Sequence, residues 1–160
     1  MNDAALQPRT GARVLLLDPL GRVLLIHERI EGGTHWLTPG GGVEPGEDLA
    51  AAAARELYEE IGLRIELAAD AAPVHQRRRI WHWRGASFDQ TDNFFVVRVH
   101  ERPAVAPAAL TEMEQQTLLA TRWWSSAELR AVSNDVIEPP DLADVLDRLA
   151  RPVHPDASSA

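Results

Sequence analysis

The chain has no cysteine and no lysine, since all 16 of its basic residues are arginines. Without cysteine it can form no disulfide, no thiolate metal ligand and no thiol nucleophile. Without lysine it lacks the amine of a Schiff-base enzyme and the lysine of a phosphate-cradling P-loop. The six histidines show no His-Glu-x-x-His spacing, so that zinc-protease pattern is missing too. Any chemistry must therefore depend on carboxylates, arginine, backbone groups and metal ions.

Long hydrophobic runs are also missing. No stretch approaches the roughly 20 apolar residues that cross a bilayer, and the N-terminus lacks the basic-then-apolar pattern of a signal peptide. We therefore expect a cytoplasmic protein with no membrane contact. The formal net charge of -8 repels polyanions, which argues against general nucleic-acid binding despite the three consecutive arginines at 77–79. A small anionic substrate bridged by a metal ion is compatible with this charge.

The length of 160 residues, 45% of them apolar, predicts one domain at residues 1–151, followed by a disordered tail of small and polar residues at 152–160. Apolar runs at 13–17 and 23–27 flank a Pro- and Gly-containing turn and predict a β-hairpin. Further strands are predicted at 36–38, 64–67, 75–84, 93–100 and 122–124, with a polar loop at about 85–91. This alternation with helices predicts an α/β (α+β) fold with a mixed sheet and helices on both faces.

The clearest predicted helix covers residues 48–61, because its alanines, leucines, arginine and glutamates favour that state and Gly62 suits a left-handed C-cap. Two more helices are predicted, one opening at Ser125 or Ser126 and one beginning near Pro140. At about 100° per residue, the first helix places one apolar stripe toward the core. That stripe consists of Leu49, Ala53, Leu57 and Ile61.

Beside the apolar stripe lies an acidic one, formed by Glu56, Glu59 and Glu60. Carboxylates at i, i+3 and i+4 repel one another by several tenths of a kcal/mol per pair on an exposed helix. A hard divalent cation such as Mg²⁺ prefers oxygen ligands and would offset that repulsion while it contacts a substrate diphosphate. The competing interpretation is a solvated acidic face, which is common on helices.

The spacing around this helix decides between the two interpretations. It resembles the Nudix box at every defined position over residues 41–63: Gly41-x5-Glu47-x7-Arg55-Glu56-Leu57-Tyr58-Glu59-Glu60-Ile61-Gly62-Leu63. About nine fixed or class-restricted positions make chance agreement very small. The order of hairpin, glycine loop, helix and later strands also resembles the Nudix fold, which implies an αβα sandwich.

The resemblance implies that Glu56, Glu59 and Glu60 bind Mg²⁺ or Mn²⁺, with the backbone carbonyl of Gly40 as a further ligand. It implies a catalytic set made of Glu56, Glu59, Arg55 and Glu47. In that set the arginine holds the carboxylates in place, and one box carboxylate, or one from a later loop, is the base. A water would then attack one phosphorus in line with metal assistance.

Outside the box the candidates are fewer. Glu112 or Glu114 is a candidate for the late-loop metal ligand, although Thr111 and Glu114 also have the spacing of a capping box. For substrate binding the candidates are Gly41, Gly42, Arg77, Arg79 and Trp81. The two arginines and the tryptophan share one face of a strand by alternation, where they could bind phosphate and stack a base, or form an ordinary sheet face with a solvated arginine rim.

The sequence therefore predicts a metal-dependent pyrophosphatase that cleaves a nucleoside diphosphate linked to another moiety, such as a (d)NTP, a nucleotide sugar or ADP-ribose. The alternative is a non-catalytic Nudix-like sensor that binds a nucleotide without turning it over. A diphosphate isomerase of the same superfamily is disfavoured because those enzymes depend on a cysteine. The partner expected is a small nucleotide-like diphosphate, and a homodimer is compatible with the resemblance because many members dimerise.

Overall fold

The computed structural model describes residues 5–151, over which eight strands and four helices follow one another. The strands are β1 (Gln7–Leu17), β2 (Val23–Ile30), β3 (Gly33–Leu37), β4 (Gly40–Gly42), β5 (His75–Trp83), β6 (Ala86–Arg98), β7 (Leu118–Trp124) and β8 (Val136–Glu138). The helices are α1 (Leu49–Ile61), α2 (Glu112–Thr117), α3 (Ser126–Ala131) and α4 (Leu142–Ala150). Among the described helices, none has the length and apolar character that crossing a membrane requires.

One mixed sheet joins the strands in the order β5-β6-β1-β2-β3-β8, with β4 added beside β1 and β7 beside β2. The predicted hairpin exists, but β1 and β2 pair only next to their turn, where Leu17 faces Val23. Beyond that point β1 pairs in parallel with β6 and antiparallel with β4. The two strands of the hairpin therefore separate, and the glycine segment Gly40–Gly42 lies beside the middle of β1.

Each face of the sheet has its own apolar core. On one face α1 packs through Ala52, Ala53, Leu57 and Ile61 against alternate residues of β1 and β2. On the other face α3 and α4 pack through a second cluster that includes Leu129 and Leu142. Helices on both faces of a mixed sheet confirm the predicted αβα sandwich.

The predicted helices are confirmed, and their ends show why the sequence forms them. The side chain of Asp48 accepts a hydrogen bond from the amide of Ala51, which caps the start of α1. At the other end Gly62 adopts φ 80°, a left-handed conformation that costs glycine little. A capping box at Ser125 begins α3, and α4 begins two residues after Pro140.

Two predictions about strands were wrong. Residues 64–67 form no strand, although Ile65 and Leu67 are half-buried against the α1 core, because no neighbouring strand offers backbone partners. The predicted polar loop at 85–91 is largely strand, since β6 begins at Ala86. Its polar side chains are satisfied across the hairpin, where Arg78 pairs with Asp89 and Trp81 donates to Gln90. The short strand β8 was not predicted, and the predicted tail at 152–160 lies outside the described residues.

Candidate active site

A cavity of about 630 Å³ opens between the glycine segment, α2 and the strands β5, β6 and β8. This volume lies within the range of small-molecule sites. Part of its lining is acidic and includes Glu60 and Glu114, while another part, which we call the cationic wall, combines arginines with aromatic rings such as Trp81 and Phe88. The cavity therefore offers two kinds of chemistry to one ligand.

The acidic part gathers three carboxylates from two helices. Glu56 and Glu60 lie one turn apart on α1, and Glu114 comes from α2. One oxygen from each lies within 4.8 Å of the other two, and we call this set the carboxylate group. The amide of Gly40 donates to Glu60 at 2.8 Å, which fixes the helix against the glycine segment.

The protein balances the charges of the carboxylate group only in part. Burial raises the pKa of Glu60 well above its ordinary value, and the neighbouring Glu56 and Glu114 act in the same direction, whereas the Gly40 amide and Arg13 oppose this shift. Burial also raises the pKa of Glu56, against the opposing effect of Arg55. Three oxygen donors whose charges are only partly compensated fit a hard divalent cation such as Mg²⁺ or Mn²⁺.

Arg55 contacts Glu56 of the carboxylate group and two acids outside that group. Its guanidinium donates to both oxygens of Glu47, at 2.8 and 3.0 Å, and to the carbonyl of Gly42 at 3.0 Å. The same side chain reaches Glu56 at 2.9 Å and Glu59 at 3.3 Å. Arg55 therefore ties the glycine segment to α1.

The structure brings together only part of the predicted metal-ligand set. Glu59 lies against Arg55 and outside the carboxylate group, and Glu112 is exposed and also outside it. Glu114 belongs to the group and forms the capping box with Thr111 as well, so both interpretations of this residue apply. The role of the Gly40 carbonyl as a ligand stays a prediction.

Gly41 is required by a close approach to Glu56. A Cβ at this position would lie 2.6 to 2.8 Å from the three carboxyl atoms of that side chain. Any other residue would push Glu56 out of the carboxylate group, because real side chains do not tolerate such contacts. The glycine therefore lets the backbone pass directly over the carboxylate group.

The cationic wall is built around a buried and balanced charge cluster. Asp92 accepts from Arg79 at 2.8 Å and from Gln90, and it pairs with Arg13 at 3.2 Å. Burial would raise the pKa of Asp92, but the two arginines and these hydrogen bonds lower it below its ordinary value. Gln90 in turn accepts from the indole of Trp81 at 3.0 Å. The polar atoms of this wall are largely satisfied by one another.

The predicted substrate-binding residues divide into two sets. Gly41, Gly42, Arg79 and Trp81 line the cavity, whereas Arg77 does not. The side chains of β5 alternate in burial, which confirms that Arg77, Arg79 and the two tryptophans share one face, while Arg78 lies on the other. Because Asp92 already neutralises Arg79, this arginine offers a substrate less charge than the sequence indicated.

Arg9 is a cavity-lining residue that the sequence interpretation missed. Its guanidinium lies 5.5 Å from the ring of Trp81 and 5.8 Å from that of Phe88. A Cβ on Gly42 would lie 2.7 Å from it, so it also borders the glycine segment. Within residues 5–151, no carboxylate lies within 4.0 Å of Arg9. No motif marks it in the sequence, because only the parallel pairing of β1 with β6 places it beside these rings.

Glu28 was also missed, and it links the sheet to α2. Its two oxygens contact the His35 ring at 3.3 Å and the hydroxyl of Thr117 at 3.3 Å. The Thr117 hydroxyl also contacts the carbonyl of Glu114. These contacts fix the short helix that carries the third member of the carboxylate group.

Comparisons with known proteins agree with this geometry. A family model described as NUDIX domain matches residues 7–148. The chain is 31% identical over 138 residues to an RNA pyrophosphohydrolase of Roseobacter denitrificans, which covers 79% of this chain and 82% of that protein. It is 32% identical over 114 residues to the phosphatase NudJ of Escherichia coli, which covers 71% of this chain and 67% of that one.

A crystal structure of a NUDIX-family hydrolase from Clostridium perfringens shares the fold. The TM-score is 0.62 at 19% identity, over 90% of this chain and 99% of that one. Several further curated relatives are matched over less than two thirds of their own length. The alignment with these relatives therefore does not assign their activities to this chain.

Proposed function

Since the chain belongs to the Nudix hydrolase family and is an enzyme of the pyrophosphatase type, we propose that it hydrolyses a diphosphate linkage in a nucleoside diphosphate joined to another moiety, with Mg²⁺ or Mn²⁺. The observation that carries the proposal is that the carboxylate group contributes Glu60 and Glu114 to a cavity whose lining also includes aromatic and cationic side chains. Two of the curated relatives are named RNA pyrophosphohydrolase and phosphatase NudJ, which supports a phosphate anhydride substrate.

In this proposal Glu56, Glu60 and Glu114 hold the divalent cation. When bound, the cation would neutralise charge on the diphosphate and stabilise the transition state of an in-line displacement. The glycine segment passes close enough over Glu56 for its backbone to border the phosphates. Hydrogen bonds from Arg55 hold Glu47 and the Gly42 carbonyl in fixed positions beside α1.

The proton of the attacking water needs a separate acceptor. Glu59 is a carboxylate at the edge of the group, with 30% of its side chain exposed and one contact of 3.3 Å to Arg55. An oxygen of Glu59 would therefore be available to take the proton as a general base, while the three other carboxylates would hold the cation.

The cationic wall would bind the nucleoside part. Trp81 and Phe88 stack with ring centroids 4.4 Å apart, and Arg9 lies beside both rings and beside the glycine segment. An arginine without a carboxylate partner in the described residues suits a substrate phosphate, and the aromatic pair suits a base. The expected cytoplasmic location and the homodimer stay predictions.

The test is a hydrolysis screen of the purified protein against (d)NTPs, nucleotide sugars, ADP-ribose and dinucleoside polyphosphates, with Mg²⁺, with Mn²⁺ and with EDTA. We expect turnover of at least one class that requires the metal. Glu66→Gln, an exposed residue outside the cavity, is the matched control for Glu60→Gln. Tight binding of a nucleotide without product release would instead support the sensor, and equal rates in EDTA would contradict the metal proposal.

A further inference from the structure

The helix that carries Glu114 has few attachments to the rest of the fold. Of the six residues of α2, Thr117 is the one that is buried. The segment before the helix is tied to α1, because the amide of Ala108 donates to the carbonyl of Glu59. In the described part of the chain, a single side-chain hydrogen bond joins α2 to another helix or strand. It runs from the Thr117 hydroxyl to Oε1 of Glu28 at 3.3 Å, so the placement of the helix depends on Glu28.

The local geometry of the sheet brings Glu28 to the end of α2. The helix continues into β7 without a loop, since α2 ends at Thr117 and β7 begins at Leu118. β7 pairs with β2, and the register shifts at a bulge, so that Leu118 faces Glu28 and Leu119 is skipped. A bulge bends its strand and changes the direction of the side chains beside it. Here it accompanies the placement of Thr117 against the Glu28 carboxylate.

Glu28 is itself held from its other side. His35 lies directly opposite on β3, and its Nε2 atom is 3.3 Å from Oε2 of Glu28. Burial would raise the pKa of Glu28, but the contacts with His35 and the charge of Arg13 lower it below its ordinary value. The ionised carboxylate accepts at both oxygens, one toward β3 and the other toward α2. Glu28 lines the cavity, but its charge repels a substrate phosphate, so its partners are those within the protein.

From these contacts we infer that Glu28 is a positioning residue: through Thr117 it holds α2 where Glu114 completes the carboxylate group, and it thereby sets how tightly the divalent cation binds. The Thr117 hydroxyl also contacts the carbonyl of Glu114 at 3.4 Å, so the bond to Glu28 acts on the turn that carries this ligand. Removing residues that orient metal ligands from behind typically weakens metal binding by about 10- to 100-fold. The inference rests on the proposed function in taking the carboxylate group as the cation site.

The test measures the dissociation constant of Mn²⁺ for the free protein by electron paramagnetic resonance, without nucleotide or turnover. We expect Glu28→Ala and Thr117→Val each to raise it by about tenfold. Glu28→Gln keeps an acceptor oxygen and Thr117→Ser keeps the hydroxyl, so both should stay within about threefold of the wild type. Alanine and glutamine both remove the charge of Glu28, and their difference therefore isolates the hydrogen bond. Glu66→Ala, at an exposed residue outside the cavity, is the control and should bind Mn²⁺ as the wild type does.

A double-mutant cycle with Glu114→Gln tests the route of the effect. Because Glu28 acts through Glu114, Glu28→Ala should change the dissociation constant by less than about twofold once residue 114 is glutamine. An undiminished effect in that background would overturn the inference, and so would equal losses in Glu28→Ala and Glu28→Gln. Thermal unfolding shows whether each variant is folded, and Thr117→Val decides the question if Glu28→Ala is not.

Failure of the proposed function has a different signature. If Glu60→Gln binds Mn²⁺ as tightly as the wild type, the carboxylate group is not the cation site and both proposals are wrong. If Glu60→Gln weakens binding while Glu28→Ala and Thr117→Val leave it unchanged, the cation site stands and only the role of Glu28 is wrong.

Discussion

Two charged clusters contribute side chains to the lining of the cavity, and they differ in how far their charges are balanced. In the carboxylate group, burial raises the pKa values of Glu56 and Glu60. Around Asp92, Arg13 and Arg79 overcome the same effect of burial and lower its pKa. The first cluster is short of positive charge, while the second contains its own counter-ions. A cluster of like charges without enough counter-ions lowers the stability of the fold, so its presence indicates a ligand. A cluster that contains its counter-ions instead links the strands that carry it.

The largest expected effect concerns the unbalanced cluster. Glu60→Gln should lower kcat for the substrate found in the screen by about 10³-fold, because one of three oxygens that hold the cation is lost and a neutral amide replaces it. Steady-state kinetics at saturating Mg²⁺ measure this change, and Glu66→Gln is the control. Wild-type rates in the variant would show that the carboxylate group does not serve catalysis.

A change in the balanced cluster should act on stability instead. Asp92→Asn leaves Arg13 and Arg79 buried without a counter-ion and should lower the free energy of unfolding by about 3 kcal/mol. Urea unfolding followed by tryptophan fluorescence measures it. Asp89→Asn, which breaks an exposed pair with Arg78, is the matched control and should leave the midpoint nearly unchanged. Equal effects of the two variants would contradict the contrast between the clusters.

Arg9 should behave unlike the arginines of the balanced cluster. Arg9→Gln should raise KM by about tenfold with a smaller change in kcat, because the side chain contacts the ground-state substrate and holds no structural carboxylate. The unfolding midpoint should not change. Arg78→Gln provides an exposed control on the other face of β5. A drop in stability with unchanged KM would instead make Arg9 a structural residue.

The smallest expected effect is a difference in pH dependence. A carboxyl group whose pKa is raised on folding keeps its proton where the unfolded chain has lost it, so stability falls as pH rises from about 4.5 through the raised pKa. In EDTA, the unfolding free energy of the wild type should therefore decline with pH more steeply than that of Glu60→Gln. Asp92 has the opposite sign, and its contribution is lost as pH falls through its lowered pKa. If the unfolding free energies of the two proteins change with pH in parallel, the pKa of Glu60 is not raised on folding.

Local signals explain why the acidic helix could be predicted. Propensity, the Asp48 cap and the Gly62 terminator all lie within one segment, so α1 was found with its ends and its buried stripe. The box spacing likewise indicated which α1 residues would share a stripe. The sequence also allowed Arg55 to pair with Glu47 or Glu59, and the structure has both pairs. It could not show that Glu56 and Glu60 would converge with Glu114, because that carboxylate comes from α2, far along the chain.

The side chains around Asp92 and the position of Glu114 depend on contacts between residues far apart in the sequence. Asp92 and Gln90 look like polar loop residues in the sequence, and only their pairing with β5 and β1 makes them strand residues with buried partners. Glu114 could be identified as a cap from its spacing, but its approach to α1 follows from the contact of Thr117 with Glu28.

The double use of Glu114 has a consequence for cation affinity. One of its oxygens already receives hydrogen bonds from the amide and hydroxyl of Thr111. Immobilising a free glutamate side chain costs up to about 2 kcal/mol in rotamer entropy, and much of that loss has occurred before a ligand arrives. The folding of α2 and the filling of the site are thereby thermodynamically linked. A substitution that unfolds this short helix would therefore weaken cation binding even if every residue of α1 is unchanged.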